Sequence, residues 1–313
     1  MDQALLQQLA LGAIPPGIIG AIIFFVLWLP RRAQAAASSD GTSLDFADTR
    51  GIIITLAIGC TLFLMHPFIM AGLRLPTWIL PPRRASDWLP LVAIIGTLLA
   101  FAAMLLRAQR FHSLLVAIPV TVVAMAFGAL AARRLITDSW SLQQSLAHVA
   151  GLGLFTYITT TGVLTLARRP GLVGVAALVI VAGSTANIMA GPLNSLKLAQ
   201  WSGVSAAFLT PAALLALLRP AVGLPIAAVA LVMLALSSVT TQAVVFGSAS
   251  LRLTVFSLVM LAMSPWLGVV TGTFFRRDGL AKSLAQLAAV GLPGAVAMGV
   301  WLATQQAESG PDY

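Results

Sequence analysis

The chain predicts an all-α fold: a polytopic integral membrane protein of about ten transmembrane helices, with nine to eleven compatible with the apolar runs. Three observations predict it. Hydrophobic residues make up 59% of the 313 residues and charged residues only 9%, where a soluble domain carries about 25% charged residues. The apolar residues gather in runs close to the roughly 20 residues that a helix needs to cross a bilayer. The basic residues stand singly or in pairs at the ends of those runs, the pattern that the positive-inside rule produces. Residues 1–313 read as one transmembrane helical domain, with a flexible soluble loop at 30–50 and a soluble tail at 305–313. The lipid bilayer is its first expected partner.

The first run is 5–29, between Asp2 and Arg31-Arg32. Its positive charge follows the apolar core, so it reads as a retained anchor with its N-terminus outside, not as a cleaved signal peptide. Pro15-Pro16 sets either a late helix start or a kink covered by neighbours. Residues 30–50 are rich in Ala, Ser, Gly, Thr and Asp and read as a loop. The second run is 51–73 and contains His66-Pro67. A basic, proline-rich connection follows at 74–90, flanked by Trp78 and Trp88 as befits a membrane interface. The later spans are 88–106, 113–132, 147–167, 172–190, a short one at 203–218, then 222–246, 251–273 and 284–304.

Eleven of the eighteen Lys and Arg residues fall in the first, third, fifth, seventh and ninth connections. That bias places the odd connections in the cytoplasm and both termini outside. Arginine outnumbers lysine sixteen to two, a composition that suggests a GC-rich, bacterial genome and hence the bacterial cytoplasmic membrane. A faint internal repeat of helix hairpins is also visible. Leu166 to Gly171 resembles Leu217 to Gly223, and each leads into a run that turns polar late.

Composition excludes several functions. The net charge of +9 does not form a basic stripe, so nucleic acid is not an expected partner. The single cysteine, Cys60, permits no intrachain disulfide and no thiolate metal cluster. All nine carboxylates lie in connections or tails, which disfavours an intramembrane proton relay built on carboxylates. No phosphate loop, zinc motif or nucleotide fingerprint is present. Asp45 and Asp48 are three apart, but a magnesium-dependent lipid enzyme would need a second acidic pair. His66 lies deep in its span and reads as a hydrogen-bonded packing residue. A haem would need a partner at similar depth, and His112 and His148 sit near span ends. The expectation is therefore no enzyme, no cofactor and no metal.

What remains is neutral polarity. Ser184, Asn187, Gly191 and Asn194 recur at helical spacing around Pro192. A helix broken there would free carbonyls for a cation or a polar solute. In the eighth span Ser237, Thr240 and Thr241 share a face, with Ser238 and Gln242 on the adjoining one. In the fifth span Thr156 and Thr160 share a face and Tyr157 and Thr161 another, which reads as helix packing. The candidate substrate-binding set is thus Ser184, Asn187, Asn194, Ser237, Thr241 and Gln242.

In span count the chain resembles the drug/metabolite transporter group. It departs from that group's compact hairpins and cytoplasmic termini at the 30–50 connection and the outside N-terminus, and no motif carries the likeness further. The expected function is a carrier or permease for a small neutral or zwitterionic solute, with sodium as a coupling ion. The other reading is a non-catalytic structural or accessory subunit, partnered by other membrane proteins or by copies of itself.

Overall fold

In lipid, every backbone N–H and C=O must find a partner within the protein, and a helix supplies those partners within one segment. The computed structural model follows that logic. It describes residues 3–28, 46–71, 82, 85–106, 111–169, 171–219, 222–247, 250–275 and 279–308.

The order is α1 (Gln3–Trp28), α2 (Phe46–Ala71), a 3-10 turn (Ala85–Trp88) leading into α3 (Leu89–Leu105), α4 (Ser113–Ala131), α5 (Arg133–Asp138), α6 (Leu142–Ala167), α7 (Leu172–Ala190), α8 (Leu196–Leu218), α9 (Ile226–Phe246), α10 (Leu251–Phe274) and α11 (Leu280–Glu308). Among the described residues nine helices are long and apolar enough to cross a membrane, and α1 adds an apolar stretch at Gly12–Leu27. No strand occurs among the described residues. The six-residue α5 buries nothing and connects α4 to α6.

Some boundaries differ from the sequence reading, each for a local reason. α6 starts at Leu142 rather than 147 because Ser141 caps it. The Ser141 hydroxyl accepts from the Gln144 N–H, and the Gln144 side-chain oxygen accepts from the Ser141 N–H. α8 starts at Leu196 rather than 203, since Lys197, Gln200 and Ser202 dilute the apolar pattern of its first turns. α2 starts at Phe46, inside the expected 30–50 loop. The rest of that loop, with Asp45, lies outside the described residues, as does the Asp48 side chain. α1 runs unbroken through Pro15 and Pro16. Further prolines sit inside α2, α4, α8, α10 and α11. Neighbouring helices make such breaks tolerable in membranes.

α9 is the axis of the bundle. Every residue from Ile226 to Ala243 is buried, against α2, α3, α4, α6, α7 and α8. A helix with no charged residue on any face belongs in such an interior. The outer helices instead present leucine, isoleucine, valine and phenylalanine outward, for example Leu98, Val122, Leu154 and Leu302. In a bilayer those faces meet lipid tails.

α6 and α9 run antiparallel, and each end shows it. At one end the Gly171 N–H donates to the Val222 carbonyl at 2.9 Å, so the two arginine turns of the faint repeat meet there. At the other, His148, Val149 and Leu152 of α6 line one cleft with Thr241 and Val245 of α9. Arg168 fastens the end of α6 to the start of α4. Its Nε donates to the Ser113 hydroxyl at 2.8 Å and its Nη2 to the Phe111 carbonyl. His66 is buried in α2, and its Nε2–H donates to the Ser86 carbonyl at 3.0 Å. A carbonyl can only accept, so the proton is on Nε2, and the histidine ties α2 to the 3-10 turn.

Candidate functional site

The second half of α9 carries Ser237, Ser238, Thr240, Thr241 and Gln242, all buried. Burying a hydroxyl in an apolar interior is unfavourable unless it is hydrogen-bonded. The Thr240 and Thr241 hydroxyls satisfy that need within their own helix, donating to the Leu236 and Ser237 carbonyls at 2.8 and 2.9 Å. Ser238 does not: its hydroxyl has no hydrogen-bond partner among the described residues.

The same division runs through α6. Thr156, Thr159, Thr160 and Thr161 are each at most 2% exposed. Thr159 donates to the Phe155 carbonyl at 2.8 Å. The hydroxyls of Thr156, Thr160 and Thr161 have no partner among the described residues. An unpaired buried hydroxyl costs about 1–3 kcal/mol. The threonine run read from sequence as packing is therefore the least satisfied polar surface in its helix.

Helical register relates the nearer members of the two sets. Leu152 and Thr241 line the same cleft. One turn inward from each, on antiparallel helices, come Thr156 on α6 and Ser237 and Ser238 on α9. Ser237 is also close to the midpoint of α9. The hydroxyl belt is thus central in the bundle, where transporters commonly place their sites.

The cleft lies between α4, α6 and α9, and Thr156, Thr160, Ser237 and Ser238 are not among its lining residues. It offers about 20 Å³ of open space, enough for about one water molecule. Its walls include Met125, Ala129, Ile136 and Val245, with Thr241 as the hydroxyl. At its mouth Trp140 stacks on His148, with ring centroids 4.4 Å apart and planes 20° from parallel. His148 Nδ1 donates to the Gln144 carbonyl at 2.8 Å. Gly128 brings α4 against this wall. A Cβ there would stand 2.6 Å from the Thr241 methyl. No Asp, Glu, Lys or Arg among the described residues lines the cleft.

The α7 candidates sit elsewhere. Ser184 is buried against α11, where a Cβ on Gly294 would stand 2.5 Å from its hydroxyl oxygen. Gly191 continues the same face onto Met298 and Trp301. Asn187 is exposed near the end of the helix, and Asn194 is exposed in the turn beyond it. Asn194 has φ 49°, a left-handed conformation that asparagine adopts more readily than most residues. The turn is closed by Leu193 N–H to Ile188 and Ser195 N–H to Met189. The structure thus gathers Ser237, Thr241 and Gln242 on α9, places Ser184 on a helix seam, and sets Asn187 and Asn194 outside.

Sequence reasoning left Thr156, Thr160, Ser238, Trp140 and His148 out of the candidate set. The four-residue spacing of Thr156 and Thr160 and the Ser141–Gln144 cap beside Trp140 were the available signals. Among the described residues no cluster of three or more His, Cys, Asp or Glu could hold a metal ion.

Fold and interior together define a multi-pass α-helical membrane protein with a neutral, hydroxyl-lined centre. No protein-family model, curated protein or solved structure matches the chain.

Proposed function

We propose that the protein is a carrier for a small neutral or zwitterionic solute, moving between α4, α6 and α9. The observation that carries this reading is the set of buried hydroxyls at Thr156, Thr160 and Ser238 that meet no partner among the described residues, with Ser237, Thr241 and Gln242 buried on the same half of α9 as Ser238. Buried hydroxyls left without partners among the described residues are poised to bond a polar guest. Each can donate and accept, and none carries charge. The site therefore suits a solute whose own groups are neutral or internally balanced. Apolar walls at Met125, Ile136 and Val245 suit a solute with a hydrocarbon portion. Sodium coupling would rest on the same hydroxyl oxygens and on helix carbonyls, since hard cations take oxygen ligands. The orientation that fits the arginine bias is odd connections inside and the Trp140–His148 mouth outside, in a bacterial cytoplasmic membrane.

The experiment is a thermal-shift screen of the purified chain against neutral and zwitterionic solutes, in sodium and in choline buffers. Hits are followed by uptake into proteoliposomes. A ligand at about 100 times its Kd stabilises by about 2.7 kcal/mol, a shift easily read. Silence across a broad panel, with the protein folded, would remove the support for this reading.

One observation favours the accessory-subunit reading: Thr159, Thr185, Thr240 and Thr241 bond their own helices, as packing residues do. Co-purification with a stoichiometric membrane partner, together with silence in the screen, would establish it.

A further inference from the structure

A second region of the molecule, between α1 and α8, has the shape of a lipid site. α1 and α8 run side by side in the same direction, with Gly12 against Gln200 and Gly20 against Phe208. At Gly20 the backbones touch: any side chain there would run into the Phe208 carbonyl. Phe24 then packs edge-on against Phe208, ring centroids 5.8 Å apart. Three residues beyond Phe208, Pro211 interrupts α8. Proline removes a backbone donor and bends a helix. From there a wedge opens between Ile22, Phe25, Pro211, Leu214, Leu215 and Leu218, with Phe24 as its floor and about 500 Å³ of open space.

The wedge has two properties of an acyl-chain site. The side chains that line it are all apolar, and it opens sideways, since Ile22, Phe25, Leu214 and Leu218 are all more than half exposed. It also runs to the end of α8, where Arg219 follows Leu218 directly and is itself exposed. Arg219 belongs to the seventh connection, one of the odd-numbered five that together hold eleven of the chain's eighteen basic residues against four aspartates. Basic residues at the membrane surface attract anionic headgroups. We propose that the α1/α8 wedge holds one acyl chain of an anionic phospholipid from the leaflet on the basic side, with its headgroup at Arg219.

The test uses the full chain in mild detergent. Its melting temperature is followed while phosphatidylglycerol or phosphatidylcholine of identical acyl chains is added. The wild type should respond to phosphatidylglycerol at about tenfold lower concentration. Leu214→Trp and Leu218→Trp replace exposed side chains and leave the core intact. Each should weaken the response to both lipids about tenfold, the worth of roughly two buried methylene groups. Arg219→Gln should abolish the preference for phosphatidylglycerol and leave the phosphatidylcholine response unchanged. Equal response to both lipids in the wild type, or tryptophan variants that titrate like it, would overturn the proposal. So would a wild-type dimer in light scattering that Leu214→Trp dissociates, which would put a second copy of the chain in the wedge.

Discussion

Among the polar stripes of the described residues, the one on α7 and the one on α6 and α9 are held in different ways. On α7, Ser184 presses against Gly294 of α11, Asn187 faces outward, and Asn194 occupies a left-handed turn. Each has a local reason to be there. On α6 and α9, Thr156, Thr160 and Ser238 are buried with hydroxyls that meet no partner among the described residues. Their neighbours Thr159, Thr240 and Thr241 show that a carbonyl one turn back was within reach of a hydroxyl in this setting. Polarity in a membrane helix is therefore not a site by itself. Polarity left unsatisfied is the feature on which the proposed site rests.

The largest expected effects come from the two glycines that bring each stripe against its neighbour. Gly128→Val would push α4 away from Thr241, and Gly294→Val would push α11 away from Ser184. Both should lower stability by about 1–3 kcal/mol through overpacking, read as a fall in melting temperature. They should part in function. Uptake per folded molecule should collapse for Gly128→Val and persist for Gly294→Val. Loss of uptake in both would erase the distinction between the stripes.

Next in size is removal of the unpartnered hydroxyls. Thr156→Val and Ser238→Ala should each reduce uptake about tenfold, the equivalent of one interaction of about 1.4 kcal/mol with the solute. Stability should hold or rise by about 1 kcal/mol, because an unpaired buried group disappears. A clear fall in stability would mean that these hydroxyls have partners in the membrane and would weaken the contrast.

Smaller effects are expected on α7. Asn194→Leu should cost about 1 kcal/mol, since a branched side chain resists the left-handed conformation, whereas Asn194→Gly should be close to neutral. Asn187→Leu should change stability by less than about 0.5 kcal/mol, as an exposed substitution. Circular-dichroism melts in detergent would check all three.

Much of the fold was legible in the sequence, because a bilayer imposes length and apolarity on every span. The apolar runs marked the helices, and their count follows within the expected range. What was not legible is which helix is central. Lipid-facing and protein-facing residues are equally apolar, so α9 and an outer helix such as α4 look alike in sequence. Pro15 and Pro16 left a late helix start or a covered kink both open, and α1 is helical on both sides of them, because neighbours rather than the helix decide whether proline is tolerated. The candidate residues were legible as polar types, not in their packing. Asparagines stand out in an apolar run because they are rare there. Whether a polar group has a partner depends on residues such as Gly294, far away in the chain. Thr156 and Thr160 were visible as a pair, but their lack of partners appears only once α9 and α10 are packed around α6.

If hydroxyls of α6 and α9 bind the solute, and amides of α7 do not, two double variants should part company in a single proteoliposome uptake assay. One joins Thr156→Val to Ser238→Ala, and the other joins Asn187→Leu to Asn194→Gly. The first pair should lose uptake while retaining its melting temperature, and the second should transport like the wild type. Full uptake by the first pair, with loss in the second, would contradict the assignment of the solute to α6 and α9.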